Sequence, residues 1–165
     1  TPSLFERLEK QYGLPTGLLD KMWAKESSRG RNMLSPVGAQ GHFGFMPATA
    51  KEVGLKDPNN LAEAAEKASQ YLAMLMNRYG GDIQKALAAY NWGLGNVDRR
   101  GMANAPWETR DYVQTLSGRP ITFNQTTNIK VVSEDSAAAG RAVGREQDRV
   151  NGNIIRNQWG ALDTP

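Results

Sequence analysis

The segment from Leu61 to Tyr79 is the part of this sequence that most constrains its fold. Its apolar residues recur at intervals of three and four, which is the spacing of one face of an α-helix; they are Leu61, Ala65, Ala68, Leu72, Leu75 and Tyr79. Gly80 and Gly81 follow and end the pattern. Since a helix of this length must bury its apolar face, the rest of the chain has to supply elements that pack against it.

Shorter helices are predicted on both sides of this segment. Ser3 and Glu6 have the spacing of a capping box, which predicts a first helix that ends near Tyr12. Thr16 is predicted to cap a second helix that carries Glu26 near its end. Three further helices are predicted to begin at Pro47, at Asp82 and near Pro106.

The same patterns predict how these helices are connected and which faces they bury. Residues 27–44 are rich in Gly, Ser and Asn and are predicted to form a long loop, and Gly93 and Gly95 indicate a turn. The helix that Asp82 caps is predicted to have one inward face, formed by Ile83, Ala86, Leu87 and Tyr90. In the last helix, Trp107 is available for packing.

The predicted helices define the fold class and the domain boundaries. No alternating strand pattern precedes Gly118, so residues 1–118 are predicted to form one all-α, predominantly helical domain. After Gly118 large apolar residues become sparse, although 129–132 has the pattern of a short strand and 145–159 that of a helix. Residues 119–165 are therefore predicted to be a partly irregular C-terminal extension, packed on the domain or on a partner, and not a second domain.

Composition excludes several classes of function. The 165 residues include no cysteine and one histidine, His42, so disulfides, thiolate chemistry and metal sites with two imidazoles are excluded. We expect neither a cofactor nor a metal. The net charge of +3 is not gathered into a basic run with interleaved aromatic residues, so nucleic-acid binding is not expected. No apolar stretch is long enough to predict a membrane span.

Glu26 is the strongest candidate for a chemical role. It follows Met22 by four residues and Trp23 by three, so its carboxyl group projects beside an apolar stripe near the end of a helix. Burial and the negative end of the helix dipole both favour the protonated form. A protonated carboxyl group near neutral pH is what glycosidic bond cleavage requires. Taken alone, the position is more typical of a solvated glutamate.

Five segments around Glu26 strengthen this hypothesis. They are ES at 26–27, SPVGAQG at 35–41, FMPATA at 45–50, AAYNWG at 88–93 and WETRDYV at 107–113. In this order and spacing, the sequence resembles the soluble lytic transglycosylase catalytic domain, a family related in fold to goose-type lysozyme. The resemblance covers residues 3–118 and implies a lysozyme-like fold of the α+β family that is mostly helical.

The resemblance implies roles for four residues around the proposed acid. Glu26 would be the catalytic acid and base, and Ser27 would support it. Tyr90 corresponds to the tyrosine whose hydroxyl group lies near that carboxyl group, and Asn91 would anchor the same turn.

Other residues are assigned to the substrate cleft. Phe45 and Met46 match the hydrophobic wall beside the sugar, and Tyr112 matches a tyrosine near the cleft. Considered only as aromatic residues, Tyr112 and Phe45 are more typical of a core. Trp92 is compatible equally with stacking on a sugar ring and with packing.

One departure from the family pattern lies at residues 41–46, which read GHFGFM. The family usually has glutamine at the position of Gly44, with its amide facing the cleft. Either glycine permits a different path of the loop, or His42 supplies a polar group instead. His42 as a second general base is a weaker alternative than a role within the loop.

The resemblance implies cleavage of peptidoglycan glycan strands between N-acetylmuramic acid and N-acetylglucosamine, with formation of a 1,6-anhydro ring. No second acid is evident, since Asp82, Asp98, Glu108 and Asp111 have the patterns of helix caps or solvated charges. The alternatives are a muramidase on the same fold, in which water attacks, and a wall-binding or structural virion module of weak activity.

The C-terminal quarter, from Asn128 onward, resembles segments of bacteriophage virion proteins that carry such domains. This favours a virion enzyme that opens the host wall locally and contacts other virion subunits through residues 119–165. The alternative location is that of an exported bacterial envelope enzyme.

Overall fold

The computed structural model describes residues 2–36 and 38–121. Within these ranges the chain forms seven α-helices, and the predicted all-α character is confirmed there. The helices are α1 (Leu4–Tyr12), α2 (Leu18–Ser27), α3 (Pro47–Val53), α4 (Leu61–Arg78), α5 (Ile83–Trp92), α6 (Leu94–Arg100) and α7 (Trp107–Ser117), with a short 3-10 turn at Met102–Asn104.

Helix α5 lies at the centre of the fold and packs against α4, α6 and α7. The four consecutive residues 86–89 (Ala-Leu-Ala-Ala) are all buried, so α5 is enclosed on nearly every side. Sequence analysis predicted one buried face for α5, whereas the structure buries most of its circumference. Three of these four residues are alanines, which allow the backbones of neighbouring helices to approach closely.

Most of the predicted helix caps are confirmed. The Ser3 hydroxyl accepts a hydrogen bond from the backbone of Glu6, and the Glu6 carboxylate accepts one from the backbone of Ser3. The Asp82 side chain caps α5 as predicted, and the Asn60 side chain caps α4, which the sequence analysis did not predict. Each cap satisfies a backbone N–H group that the helix itself leaves unpaired.

The predicted cap of α2 is wrong, because Gly17 and not Thr16 precedes this helix, and it provides no side chain. The buried Glu9 of α1 takes over this function. Its two carboxylate oxygens accept hydrogen bonds from the backbone N–H groups of Gly17 and Leu19, each at 2.9 Å. A negative charge at this helix end is favourable, and the contact fixes α2 on α1.

Helix α6 was not predicted. Gly93 and Gly95 indicated a turn, but only Gly93 interrupts the chain, with φ of 96°, and Gly95 lies within the helix. Burial of Val97 against the core compensates for the low helix propensity of Gly95.

The predicted loop between α2 and α3 is confirmed, and it has internal structure. Gln40 and Phe45 exchange backbone hydrogen bonds of 2.9 and 3.1 Å, and Gln40 also pairs with Leu34. The backbone N–H of His42 donates to the carbonyl of Pro58, at 3.1 Å, which attaches this turn to the segment before α4.

The beginning of the predicted extension lies against the domain. The side-chain amide of Gln84 donates to the carbonyl of Pro120, and Ile121 packs on the core. The strand predicted at 129–132 and the helix predicted at 145–159 lie outside the described residues. Among the described residues, no helix combines the length and the apolarity that crossing a membrane demands.

Replacement of Glu9 tests how α2 is held. We expect Glu9→Ala to lower the free energy of unfolding by about 2 kcal/mol, because the backbone N–H groups of Gly17 and of the buried Leu19 lose their acceptor. Urea denaturation followed by circular dichroism measures the change. Glu66→Ala, at an exposed position of α4, is the control and should cost less than about 0.5 kcal/mol. Equal losses in the two variants would contradict the capping role of Glu9.

Candidate active site

A cleft of about 550 Å³ runs between the loop after α2 and the first turns of α7. The carboxyl-terminal ends of α2 and α5 form its floor, and Tyr71 of α4 reaches it from one side. All five segments singled out in the sequence contribute to its lining. Residues far apart in the chain therefore meet in one concave surface of the size typical of ligand sites.

Glu26 lies in this cleft at the penultimate position of α2 and is partly buried. Burial raises the pKa of its carboxyl group to about 7, and a hydrogen bond from Tyr112 and the charge of Lys25 oppose that shift. The pKa is thus raised in the direction that the sequence predicted, and burial is the largest cause.

Tyr112 makes the direct contact with Glu26. Its hydroxyl group donates to Glu26 Oε1 at 2.7 Å, and the side chain is buried. Burial and the neighbouring Glu26 hold the pKa of the Tyr112 hydroxyl group well above its usual value, so it remains a donor. Tyr112 thus combines two roles that sequence analysis treated as alternatives, because it is a core residue and it also reaches the cleft.

Tyr90 lines the cleft, and its hydroxyl group makes no hydrogen bond to Glu26 in the described part of the chain. Its hydroxyl group donates instead to the backbone carbonyl of Phe43, at 2.9 Å. The pKa of the Tyr90 hydroxyl group is raised mainly by burial and also by the charge of Glu26, so the two residues are close. Tyr90 therefore holds the loop in place beside Glu26, and Tyr112 is the tyrosine that touches the carboxyl group.

Gly44 approaches Glu26 so closely that no side chain fits. Its φ of +64° is in the left-handed region, and a Cβ atom built there would collide with Glu26 Oε2. With Glu26 in this position, a side chain at residue 44 would need both a left-handed backbone conformation and a shift of the Glu26 carboxyl group.

His42 does not line the cleft, so the prediction that it supplies a polar group there is wrong. Its Nδ1 accepts a hydrogen bond from Trp23 Nε1 at 3.0 Å, and its Nε2 lies 3.1 Å from the carbonyl oxygen of Asn59. Because the indole can only donate, Nε2 carries the proton and donates to Asn59. His42 is therefore a connection between α2 and the segment before α4, in agreement with a role within the loop.

Ser27 and Asn91 support the site from behind. The buried Ser27 hydroxyl group donates to the carbonyl of Trp23 at 3.2 Å and accepts from the backbone N–H of Gly30 at 2.9 Å. It thereby shapes the exit from α2 directly after Glu26. The Asn91 side chain accepts a hydrogen bond from the buried Thr109 hydroxyl group at 2.9 Å, which ties α5 to α7.

Phe45 and Met46 lie on the loop side of the cleft, where the sequence predicted a hydrophobic wall. Phe45 is buried and packs edge-on against Tyr90, with 6.0 Å between ring centroids, whereas Met46 is exposed. The ring of Tyr71 lies 5.7 Å from that of Tyr90 and extends the apolar surface. Tyr71 was missed because its position in α4 falls outside the apolar periodicity.

The first turns of α7 contribute polar groups that sequence analysis assigned to caps or solvent. Glu108 and Asp111 both line the cleft, and Lys25 forms an ion pair with Asp111 at 2.7 Å. Burial raises the pKa of the Glu108 carboxyl group, and the charge of Lys25 opposes this. Both residues belong to the WETRDYV segment, and the resemblance of this segment to the family was the feature of the sequence from which their place in the cleft could have been predicted.

Two polar atoms in the cleft walls are buried without a hydrogen-bond partner among the described residues, Trp92 Nε1 and Glu108 Oε2. Such atoms are costly to bury unpaired. Across residues 2–36 and 38–121, no three side chains of the metal-ligating acidic and histidine types come together as a metal site.

The sequence of this chain is similar to a known domain family and to two phage proteins. The family model described as transglycosylase SLT domain matches residues 3–112. The chain is 30% identical over 128 residues to peptidoglycan transglycosylase gp16 of Escherichia phage T7, which covers 68% of this chain and 10% of that protein. It is 35% identical over 88 residues to a transglycosylase of Enterobacteria phage PRD1, which covers 53% of this chain and 33% of that protein.

Among solved structures, the fold is similar to that of an inactive mutant of lytic transglycosylase Slt from Pseudomonas aeruginosa. The TM-score is 0.55 at 23% identity, with 68% of this chain and 22% of that chain covered. The present chain thus spans at most about a third of the length of these relatives.

Removal of the Tyr112 hydroxyl group tests its effect on Glu26. Because the hydrogen bond favours the ionised carboxylate, we expect Tyr112→Phe to raise the pKa of Glu26 above about 7. Carbon-13 NMR titration of labelled glutamate carboxyl groups measures it. Tyr90→Phe is the matched control, since its hydroxyl group bonds to Phe43, and should shift this pKa less. A fall in the pKa of Glu26 in Tyr112→Phe would contradict the assignment.

A double-mutant cycle tests the contact between Gly44 and Glu26. We expect Gly13→Ala, at φ of +65° with open space around it, to cost about 1 kcal/mol of unfolding free energy. Gly44→Ala should cost roughly 2 kcal/mol more, because its methyl group displaces the Glu26 carboxyl group. In a Glu26→Ala background that excess should disappear. An unchanged excess in that background would show that the collision partner is not Glu26.

Proposed function

The chain belongs to the transglycosylase SLT domain family, and we propose that it is a lytic transglycosylase that cleaves peptidoglycan with Glu26 as its acid and base. The bond cleaved is the β-1,4 bond between N-acetylmuramic acid and N-acetylglucosamine, and the product carries a 1,6-anhydro ring. The observation that carries the proposal is the carboxyl group of Glu26, held in the cleft with a pKa of about 7.

The first step requires a proton on the bridging oxygen of the glycosidic bond. Because the Tyr112 hydroxyl group donates to Oε1 of Glu26, the proton of the neutral acid resides on Oε2. Glu26 transfers this proton to the leaving oxygen of N-acetylglucosamine as the bond to C1 of N-acetylmuramic acid breaks. The acetamido oxygen of the muramic acid residue then stabilises the cationic C1.

The second step uses the carboxylate that remains. Glu26 accepts the proton of the muramoyl 6-hydroxyl group, whose oxygen forms a bond to C1 and displaces the acetamido oxygen. Glu26 thereby returns to its protonated form, and no water is consumed. A group with a pKa near the working pH suits both proton transfers, since it is neither too weak an acid nor too weak a base.

A single catalytic carboxyl group fits this route better than ordinary hydrolysis. A retaining glycosidase places two carboxyl groups ~5 Å apart, and an inverting one uses a wider separation to admit water. In the cleft Asp111 is paired with Lys25. Among the described carboxyl groups of the cleft, Glu26 is the one whose pKa is raised to about 7, and this supports its assignment as the single acid and base.

The phage relatives support a proposal about the biological setting. The T7 and PRD1 proteins are named as transglycosylases, and this chain spans a fraction of each. We propose that the domain belongs to a phage virion, where it opens the host cell wall locally and contacts other virion subunits through residues 119–165. Peptidoglycan glycan strands are its substrate.

The decisive experiment is digestion of purified peptidoglycan followed by mass spectrometry of the released muropeptides. We expect the parent chain to release products one water lighter than muropeptides with reducing ends. Glu26→Gln should lose at least about 100-fold in rate, because the amide cannot transfer a proton. Glu66→Gln, an exposed glutamate of α4, is the matched control and should retain the parent rate.

Three other results of this digestion would contradict the proposal. Products with reducing ends would identify a muramidase on the same fold. Binding to sacculi without release of muropeptides by the parent would identify a wall-binding module. Release of muropeptides by Glu26→Gln at the parent rate would refute the role of Glu26.

A further inference from the structure

The two tryptophans nearest the cleft have opposite environments. Trp92, which the sequence left open as a sugar-stacking residue, is only 5% exposed. Trp107, which was expected to pack in the core, is 60% exposed and lines the cleft. Among the described residues, no other aromatic ring stacks on Trp107. The exposed indole is therefore available to a molecule bound in the cleft.

Helix geometry places Trp107 on the cleft rim. Residues four apart share a helix face, so α7 presents two adjacent stripes to the cleft. Glu108 and Tyr112 form the deeper stripe, and Trp107 and Asp111 form the exposed one. Trp107 comes five positions before Tyr112, which corresponds to about 7.5 Å along the helix axis. Trp107 therefore lies more than one turn of α7 away from the residue that contacts Glu26.

We propose that Trp107 is a stacking platform for a sugar ring of the glycan strand, at a position next to the bond that is cleaved. The inference rests on the proposed function for the identity of the ligand. It assigns to an exposed indole the recognition of a β-linked N-acetylhexosamine ring, separate from the proton transfers of Glu26.

The chemistry of both partners supports this assignment. In the chair form of a β-linked N-acetylhexosamine, the axial C–H bonds line the ring faces and the polar substituents project sideways. The electron-rich face of an indole attracts such polarised C–H groups, and the contact removes apolar surface from water. The sideways hydroxyl and amide groups need polar partners, and the side chains of Glu108 and Asp111 line the same wall.

The surroundings favour a glycan over a protein surface. Two other exposed apolar side chains, Leu34 and Met46, line the same cleft. The apolar surface therefore lies within a concave site, where a chain of sugar rings fits and a flat protein face does not. The ion pair of Lys25 and Asp111 gives this site a polar edge.

The test measures binding without cleavage. The chain of residues 1–165 with the Glu26→Gln substitution is titrated with soluble glycan strands from which an amidase has removed the peptides, and heat or tryptophan fluorescence is recorded. We expect Trp107→Ala to raise the dissociation constant about tenfold, which is the size of typical stacking contributions. Trp107→Phe should restore binding to within about threefold of the parent, since it keeps an aromatic face.

Met74→Ala is the matched control, because Met74 is 45% exposed and lies outside the cleft lining. It should bind like the parent. In the cleavage-competent protein, Trp107→Ala should raise KM by a similar factor and leave kcat within about twofold, since stacking is made equally in the ground state and the transition state. Circular dichroism of each variant establishes that the fold is intact.

Several results would overturn the proposal. They are parent-like binding by Trp107→Ala, equal losses in Trp107→Ala and Trp107→Phe, and absence of glycan binding by the Glu26→Gln parent. Self-association that Trp107→Ala abolishes while glycan binding is unaffected would instead assign the indole to a second copy of the chain. The binding data decide this inference separately from the proposed function, because a protein that releases no muropeptides can still show or lack the Trp107 effect.

Discussion

The contact of the Glu26 carboxyl group with Tyr112 on one side and Gly44 on the other is the interaction on which the site depends. Tyr112 supplies a hydrogen bond of 2.7 Å, and Gly44 supplies backbone without a side chain. Three distant parts of the chain must meet for this contact to form. The burial that results is the main cause of a pKa of about 7, and without it the carboxyl group would be an ordinary ionised glutamate.

The remainder of the fold holds these three parts together. Glu9 fixes the beginning of α2 and so determines where Glu26 lies at its other end. The alanine-rich helix α5 allows α4 and α7 to pack on it, and its Tyr90 bonds to the loop at Phe43. His42 attaches the same loop on the side away from the cleft. The chemistry of one carboxyl group therefore rests on packing throughout the domain.

The sequence predicted the helices better than it predicted the contacts between the helices. Caps such as Ser3 and Asp82 are local, and their hydrogen bonds lie within a few residues, so they were readable from spacing. The cap of α2 comes from Glu9, eight residues earlier than Gly17, and no local pattern reveals it. Residues 122–165 lie outside the described part, and the predictions made for them stay predictions.

By itself the sequence determined the helical class, the family and Glu26 as the candidate acid, because periodicity, motif order and residue type are properties of the chain. Only the tertiary structure decided which tyrosine touches Glu26, why glycine stands at position 44, and that Trp107 is exposed while Trp92 is buried. Each of these three features depends on which helices and loops pack against one another. A spacing in sequence specifies the face of a helix, whereas the packing of helices specifies what that face contacts.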